Sequence, residues 1–232
     1  MVPSKSSMLR KVIPELLDDD LGTPAEIAAS LVDLRHINDW FGGTRTTAAL
    51  LEEVAKECGC NRLSVLEVGA GAGDLPLTAS RIFARSGREL RVTLLDRMWS
   101  HLPRNGVPSI AGDALALPFR DGAFDVVSCS LFAHHLEPEE LCRFAGEALR
   151  VCGRAALIND LIRSRLHLWL VYAGLPLFRS RITWHDAPAS VRRAYTTEEM
   201  REMLRDVPAE RITVERRYLY RMGVLLWKGR GG

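Results

Sequence analysis

Three glycines in five residues, Gly69, Gly71 and Gly73, follow an apolar run that ends in an acid, Val65-Leu-Glu-Val68. Glycines so spaced let a backbone turn tightly and approach a ligand without Cβ clashes. A helix beginning just after them offers free N–H groups. A dinucleotide fingerprint, G-x-G-x-x-G, needs its third glycine at position 74. Asp74 stands there instead, and Glu67 lies two residues before the first glycine. Two carboxylates beside the turn suit a cationic nucleoside better than an anionic diphosphate.

Asp96 closes the next apolar run, 27 residues past Gly69. An acid there accepts hydrogen bonds from ribose hydroxyls, and it can equally cap the segment from Arg97 to His101. Gly112-Asp113-Ala114 closes a third run; a carboxylate with adjacent N–H groups matches an adenine edge, and Gly-Asp also makes ordinary turns. Ser130-Leu-Phe-Ala-His-His-Leu136 follows a fourth run. His134 or His135 offers an imidazole able to take a proton near pH 7, or a positioning group. Asn159-Asp160 ends a fifth run. Asp160 can orient a histidine, accept a substrate hydroxyl or cap a helix. It has no adjacent acid, so no metal is expected.

The elements that must position these groups alternate in period. Thr23-Pro-Ala-Glu26 predicts a helix start with a capping box, running to Gly42-Gly43. A second helix from Thr44 ends at Gly59. Strands are expected at 63–68, 90–95, 108–111, 124–129 and 154–158, with helices from about Leu75 to Ser86 and from Pro138 to Arg150. Such alternation predicts an α/β fold with a mostly parallel sheet and helices on both faces. After a helix at 197–205 come two strands, 209–217 and 218–228, with almost nothing between them. They require an antiparallel C-terminal hairpin. Residues 1–60 should form a helical N-terminal segment and 159–195 an inserted cap, all in one domain of 1–232.

The chain has 232 residues, 31 Lys/Arg against 29 Asp/Glu, 47% apolar and 26% charged residues. That balance excludes wholesale disorder. Five cysteines make no disulfide framework, and Cys58-x-Cys60 lacks a second pair for zinc. The opening segment, with Lys5, Arg10 and Lys11, has no apolar core of a secretory signal, so a cytoplasmic location is expected. Charge is uneven: residues 1–149 hold 15 basic and 21 acidic residues, residues 150–232 hold 16 and 8. The excess is mostly arginine and is spread along this half; the cap holds Arg163, Arg165, Arg179, Arg181, Arg192 and Arg193 around Leu166 to Phe178. They suit an acidic or phenolic substrate group, a peripheral contact with an anionic membrane, or a solvated face.

The series Leu66-Glu-Val-Gly-Ala-Gly-Ala-Gly73, Asp96, Gly112-Asp-Ala114, Leu117-Pro-Phe119 and Phe124-Asp-Val-Val127 resembles the class I S-adenosylmethionine-dependent methyltransferases. It is most similar to the small-molecule group that includes ubiquinone and menaquinone biosynthesis enzymes. The resemblance covers roughly residues 40–230. It implies a Rossmann-like seven-stranded sheet with the last strand inserted antiparallel, and S-adenosylmethionine as cofactor. It implies that Glu67, Gly69, Ala70, Gly71 and Gly73 lie along methionine and ribose, and that Asp96, with Arg97 beside it, holds the ribose. By the same resemblance Gly112, Asp113 and Ala114 meet adenine, and Ser130 and Leu131 line the methionine side. Upstream, Trp40 and Phe41 are candidates for cation–π contact with the sulfonium.

The fourth strand's end lacks the Asn/Asp-Pro-Pro-aromatic signature of nucleobase amino methylation, so no nucleic acid is expected. Methyl transfer to an oxygen, or a carbon, of an aromatic, quinol or polyketide-like small molecule is expected. Asp160, Arg163, His185, Arg192 and Arg193 are the candidate substrate residues, with His134 or His135 as base. An NAD-dependent dehydrogenase and a non-catalytic cofactor-binding subunit are the alternatives. Oligomeric state is not legible.

Overall fold

The computed structural model describes residues 8–229; Lys5 and the outermost ends of the predicted domain lie outside them. Thr23 caps α1 (Pro24–Trp40) through the expected reciprocal box: its hydroxyl accepts from the Glu26 N–H, and the Glu26 carboxylate accepts from its N–H. Helix α2 (Gly43–Cys58) stops at Gly59, whose left-handed backbone closes the last turn. Strand β1 (Arg62–Val68) then leads through the glycine loop into α3 (Asp74–Arg85). β2 (Glu89–Asp96), the short β3 (Ser109–Ala111), β4 (Phe124–Ser130), α4 (Pro138–Val151) and β5 (Cys152–Leu161) follow. The cap carries α5 (Arg165–Gly174) and α6 (Arg181–Arg193). Then come α7 (Thr197–Leu204), β6 (Arg211–Arg217) and β7 (Arg221–Trp227).

One seven-stranded sheet has the order β3-β2-β1-β4-β5-β7-β6. β1 to β5 are parallel, and β7 lies between β5 and β6, antiparallel to both. The expected hairpin is present, with Tyr218 to Tyr220 as its turn. Side-chain alternation divides the core. Leu66, Val127, Ile158 and Val224 face α4 and α7, whereas Val65, Val126, Leu157 and Leu225 face α2 and α3. Strand β7 is buried throughout, as a strand covered on both faces must be.

Two boundaries differ from expectation. β5 runs to Leu161, because Asn159 and Asp160 pair with Gly223 and Met222 of β7, so the cap begins only after the strand. Residues 8–22 are not helical; Pro14 and the run Asp18-Asp-Asp20 disfavour a helix there. This segment lies against the cap. The Lys11 N–H donates to the Arg192 carbonyl, and the Leu16 and Leu17 N–H groups donate to the Asp186 carboxylate. Among the described residues, no helix is long and apolar enough to cross a membrane.

Candidate active site

The strand order reverses between β1 and β4, and a crevice opens at the carboxyl ends of the strands there. The cap, α1 and the N-terminal segment close over it, leaving a cavity of about 520 Å³. Every residue expected on the cofactor side lines it: Glu67, Gly69, Ala70, Gly71, Gly73, Asp96, Arg97, Gly112, Asp113, Ala114, Ser130 and Leu131.

The loop's glycines are required by space as well as by backbone. Gly69 has φ +65°, and a Cβ there would lie 2.6 Å from the Phe132 ring; at Gly73 (φ +70°) it would lie 2.5 Å from Leu94. Asp96 ties the loop down. Its Oδ2 accepts from the Gly71 N–H at 2.7 Å, and its Oδ1 accepts from the Met98 N–H at 2.9 Å. The carboxylate therefore does cap the following segment while it faces the cavity. Asp113 is set by its own turn, accepting from the Leu115 N–H. Asp74 opens α3 at the cavity wall, 3.8 Å from Arg35.

Glu67 is 1% exposed, and its Oε2 has no hydrogen-bond partner. Burial raises its carboxyl to about 7, with the Ser128 and Ser130 hydroxyls offsetting part of that rise. An orphaned carboxyl beside a Cβ-free cradle fits a ligand carrying positive charge, as S-adenosylmethionine does.

Residues 66–157 match the family described as Methyltransferase domain. Over those residues the chain is similar to the class I S-adenosylmethionine-dependent methyltransferases. It is 29% identical, over 64% of its length, to the ubiquinone/menaquinone biosynthesis C-methyltransferase UbiE of Azotobacter vinelandii, and the match spans 66% of that enzyme. Two solved structures share its fold. The plantazolicin methyltransferase BpumL, solved with a desmethylPZN analogue and SAH, superposes with a TM-score of 0.65 at 14% identity, covering 93% of this chain and 95% of that one. The magnesium protoporphyrin IX methyltransferase of Synechocystis gives 0.52 at 16% identity, over 81% and 84%.

The other end of the cavity is apolar, with Leu31, Leu34, Leu161, Leu170, Val171 and Phe178 on its walls. Phe41 lines it too, but Trp40 stacks on His36 and is exposed. Both histidines reach this end from a 3-10 turn at Ala133–His135. His134 is buried, with Nδ1 2.7 Å from Asp160 Oδ1, and its N–H donates to Asp160 Oδ2. Burial opposes its charge, but Asp160 and Glu15 outweigh that and hold it up at about 10. Those two carboxylates favour the charged imidazole over the neutral one, which works against His134 as a simple proton acceptor. His135 is partly exposed, its Nδ1 2.9 Å from Asp18 Oδ2.

Several substrate candidates lie elsewhere. Asp160 sits behind His134 with both oxygens engaged, so it orients the histidine and meets no ligand. Arg163 is buried and spends its guanidinium on the Met8 and Ala194 carbonyls and on Glu199. His185 pairs with Asp186 on the outer side, and Arg192 bonds the Pro188 carbonyl and the Tyr172 hydroxyl. Arg181 pairs with Glu26. Arg193 alone of the expected cap arginines lines the cavity, donating to the His135 carbonyl at 2.6 Å.

Three contributors escaped the sequence reading. Glu15 and Asp18 arrive from the irregular N-terminal segment, which carries no period to read. Arg221 opens β7 and lines the cavity, fully buried, with Nη2 donating to Asn38 Oδ1 and with Nε and Nη1 unpartnered. Burial lowers it to about 10, and Asp160 offsets part of this. A lone arginine heading the apolar run Met222–Trp227 was the available signal.

Proposed function

We propose that the protein transfers the methyl group of S-adenosylmethionine to an oxygen, or less readily a carbon, of an aromatic, quinol or polyketide-like small molecule. The observation that carries this is one continuous cavity, with the glycine loop at one end and an apolar chamber at the other. Its volume falls in the range of small-molecule sites.

When bound, S-adenosylmethionine supplies an electrophilic methyl on a cationic sulfur. Asp96 would hold the ribose hydroxyls while keeping Gly71 in place. Asp113 and the Ala114 N–H would meet the adenine edge. Glu67 would ionise against the cofactor's positive charge. The leucines, Val171 and Phe178 would exclude water and hold a flat acceptor, which gives in-line alignment of nucleophile, methyl and sulfur. Arg221, with two unpartnered nitrogens in the wall, would grip an acidic or phenolic group on the acceptor, with Arg193 second to it. The acceptor's own proton would leave at the end where His135 and Glu15 stand.

A dehydrogenase reading is disfavoured by Asp74, which opens α3 where a pyrophosphate would need an uncharged helix start. Methyl transfer from labelled S-adenosylmethionine to a panel of phenols, quinols and polyketide-type β-diketones tests the proposal. Labelled product with any of them supports it. Tight cofactor binding with no transfer to the panel or to a metabolite extract would favour a non-catalytic subunit.

A second reading concerns delivery. The outer face of α5 exposes Leu166 and Trp169, and Leu177 beyond it is exposed too, with arginines at both ends of the stretch. This face would rest on an anionic lipid surface and admit a greasy acceptor. Vesicle co-sedimentation that falls with salt and is lost in Trp169→Ser supports it; absence of binding at low salt refutes it.

A further inference from the structure

Two neighbouring imidazoles of the cavity are pinned at Nδ1 by a carboxylate: His134 by Asp160 at 2.7 Å and His135 by Asp18 at 2.9 Å. That leaves both Nε2 atoms directed at one oxygen. His134 Nε2 lies 3.5 Å and His135 Nε2 3.9 Å from Glu15 Oε1. Neither Glu15 Oε1 nor His134 Nε2 has a hydrogen-bond partner, though the side chains are only 9% and 3% exposed. Among the described residues this is the one group of three whose ligand atoms all lie within 4.8 Å of one another.

These separations are longer than an ordinary N–H···O hydrogen bond. They are near the edge of a coordination tetrahedron, about 3.4 Å when each donor is ~2.0–2.1 Å from a central ion. A carboxylate on the far nitrogen of each histidine keeps the remaining proton on Nδ1 when an ion displaces the one on Nε2, and it raises the basicity of Nε2, as outer carboxylates do at metal sites. Two imidazoles and one carboxylate suit a borderline divalent transition ion, and three protein ligands leave a position open toward the chamber.

We propose that Glu15, His134 and His135 bind one divalent transition-metal ion, zinc-like in its preferences, whose open position takes the acceptor's hydroxyl oxygen. This deepens the proposed methyl transfer and rests on it for the ion's role. The ion supplies what a direct histidine base would otherwise provide. The acceptor's O–H bond breaks, its electron pair stays on the metal-bound oxygen, and the proton passes to water at the cavity mouth. That oxygen then forms its bond to the methyl carbon while the carbon–sulfur bond breaks, its pair passing to sulfur. The absence of an acid adjacent to Asp160 in sequence is no obstacle, because the carboxylate comes from residue 15.

The test uses the whole chain, treated with chelator and desalted, then titrated with zinc chloride against a chromophoric chelator. One ion per chain is expected. Glu15→Gln and His135→Ala should each weaken binding at least tenfold, and Asp18→Asn ~10–100-fold. Cobalt should bind with visible d–d bands and no thiolate charge-transfer band, which excludes Cys58 and Cys60 as the site. Affinity for S-adenosylhomocysteine is measured in parallel and should survive all three substitutions, showing that the variants fold. No stoichiometric zinc, unchanged affinity in Glu15→Gln and His135→Ala, or equal competition by magnesium overturns the proposal. A chain that binds S-adenosylhomocysteine but no zinc sinks the metal site alone. One that binds zinc but no cofactor sinks the methyltransferase reading and leaves the ion site standing.

Discussion

Replacing Glu67 by Gln separates two consequences of one buried carboxyl. Its acid sits at about 7 instead of the ordinary 4.5 because burial disfavours the charge. At ~1.36 kcal/mol per pH unit, that gap is worth about 3 kcal/mol. The folded-state value lies above the unfolded one, so the unfolded chain loses this proton first as pH rises. Stability therefore falls between about pH 4.5 and 7, and Glu67→Gln removes that loss. Cofactor binding has the opposite sign. A cation beside Glu67 favours the ionised carboxyl, so below pH 7 binding expels a proton and affinity rises with pH, about fivefold from pH 6 to 7. Titration calorimetry with S-adenosylmethionine at pH 6 and 7, in two buffers of different ionisation heat, counts that proton. The variant should bind more weakly at pH 7, show a flatter pH response, and melt no lower than the parent at pH 8. A parent with equal affinity at both pH values and no proton release would refute the reasoning. So would a variant that keeps the parent's full pH response.

Asp96→Ala removes the partner of the Gly71 and Met98 N–H groups together with the ribose contacts, each worth ~1–3 kcal/mol. The Kd for S-adenosylhomocysteine should rise at least tenfold, and an unchanged value would take Asp96 out of the site. Gly69→Ala sets a Cβ against Phe132 in a left-handed backbone, so a lower melting temperature, by about 1–3 kcal/mol of stability, and weaker cofactor binding are expected in thermal melts and calorimetry. Arg193→Lys should raise the acceptor KM with cofactor affinity intact, because an ammonium cannot reproduce the guanidinium's fork. Steady-state kinetics with both substrates varied checks this.

The cofactor half of the site was legible because its physics is local. A turn that needs positive φ calls for glycine, and a carboxylate at a strand's end declares itself by position. The β6–β7 hairpin was legible because two apolar runs without a spacer can only fold back on each other. The acceptor half depends on contacts between segments far apart in sequence. Glu15 and Asp18 belong to a stretch with no regular hydrogen bonding of its own, so no period marks them. The cap arginines misled for a related reason. A guanidinium binds free carbonyls as readily as ligand oxygens, and Arg163 and Arg192 are taken up by carbonyls at helix ends and loops. No pattern of residue types distinguishes those two uses; only the backbone path does.

The insertion of β7 between β5 and β6 also bears on how the chain is made. β6 pairs with no strand but β7, so it has no place in the sheet until residues 221–227 leave the ribosome. Through that interval β5 keeps an open edge from Ala155 to Leu161, a row of free N–H and C=O groups flanked by apolar side chains. Such an edge is a template for another chain. Chains interrupted between β5 and β7 should therefore form intermolecular strand pairs, and synthesis through Trp227 is what converts an aggregation-prone nascent sheet into a sealed one.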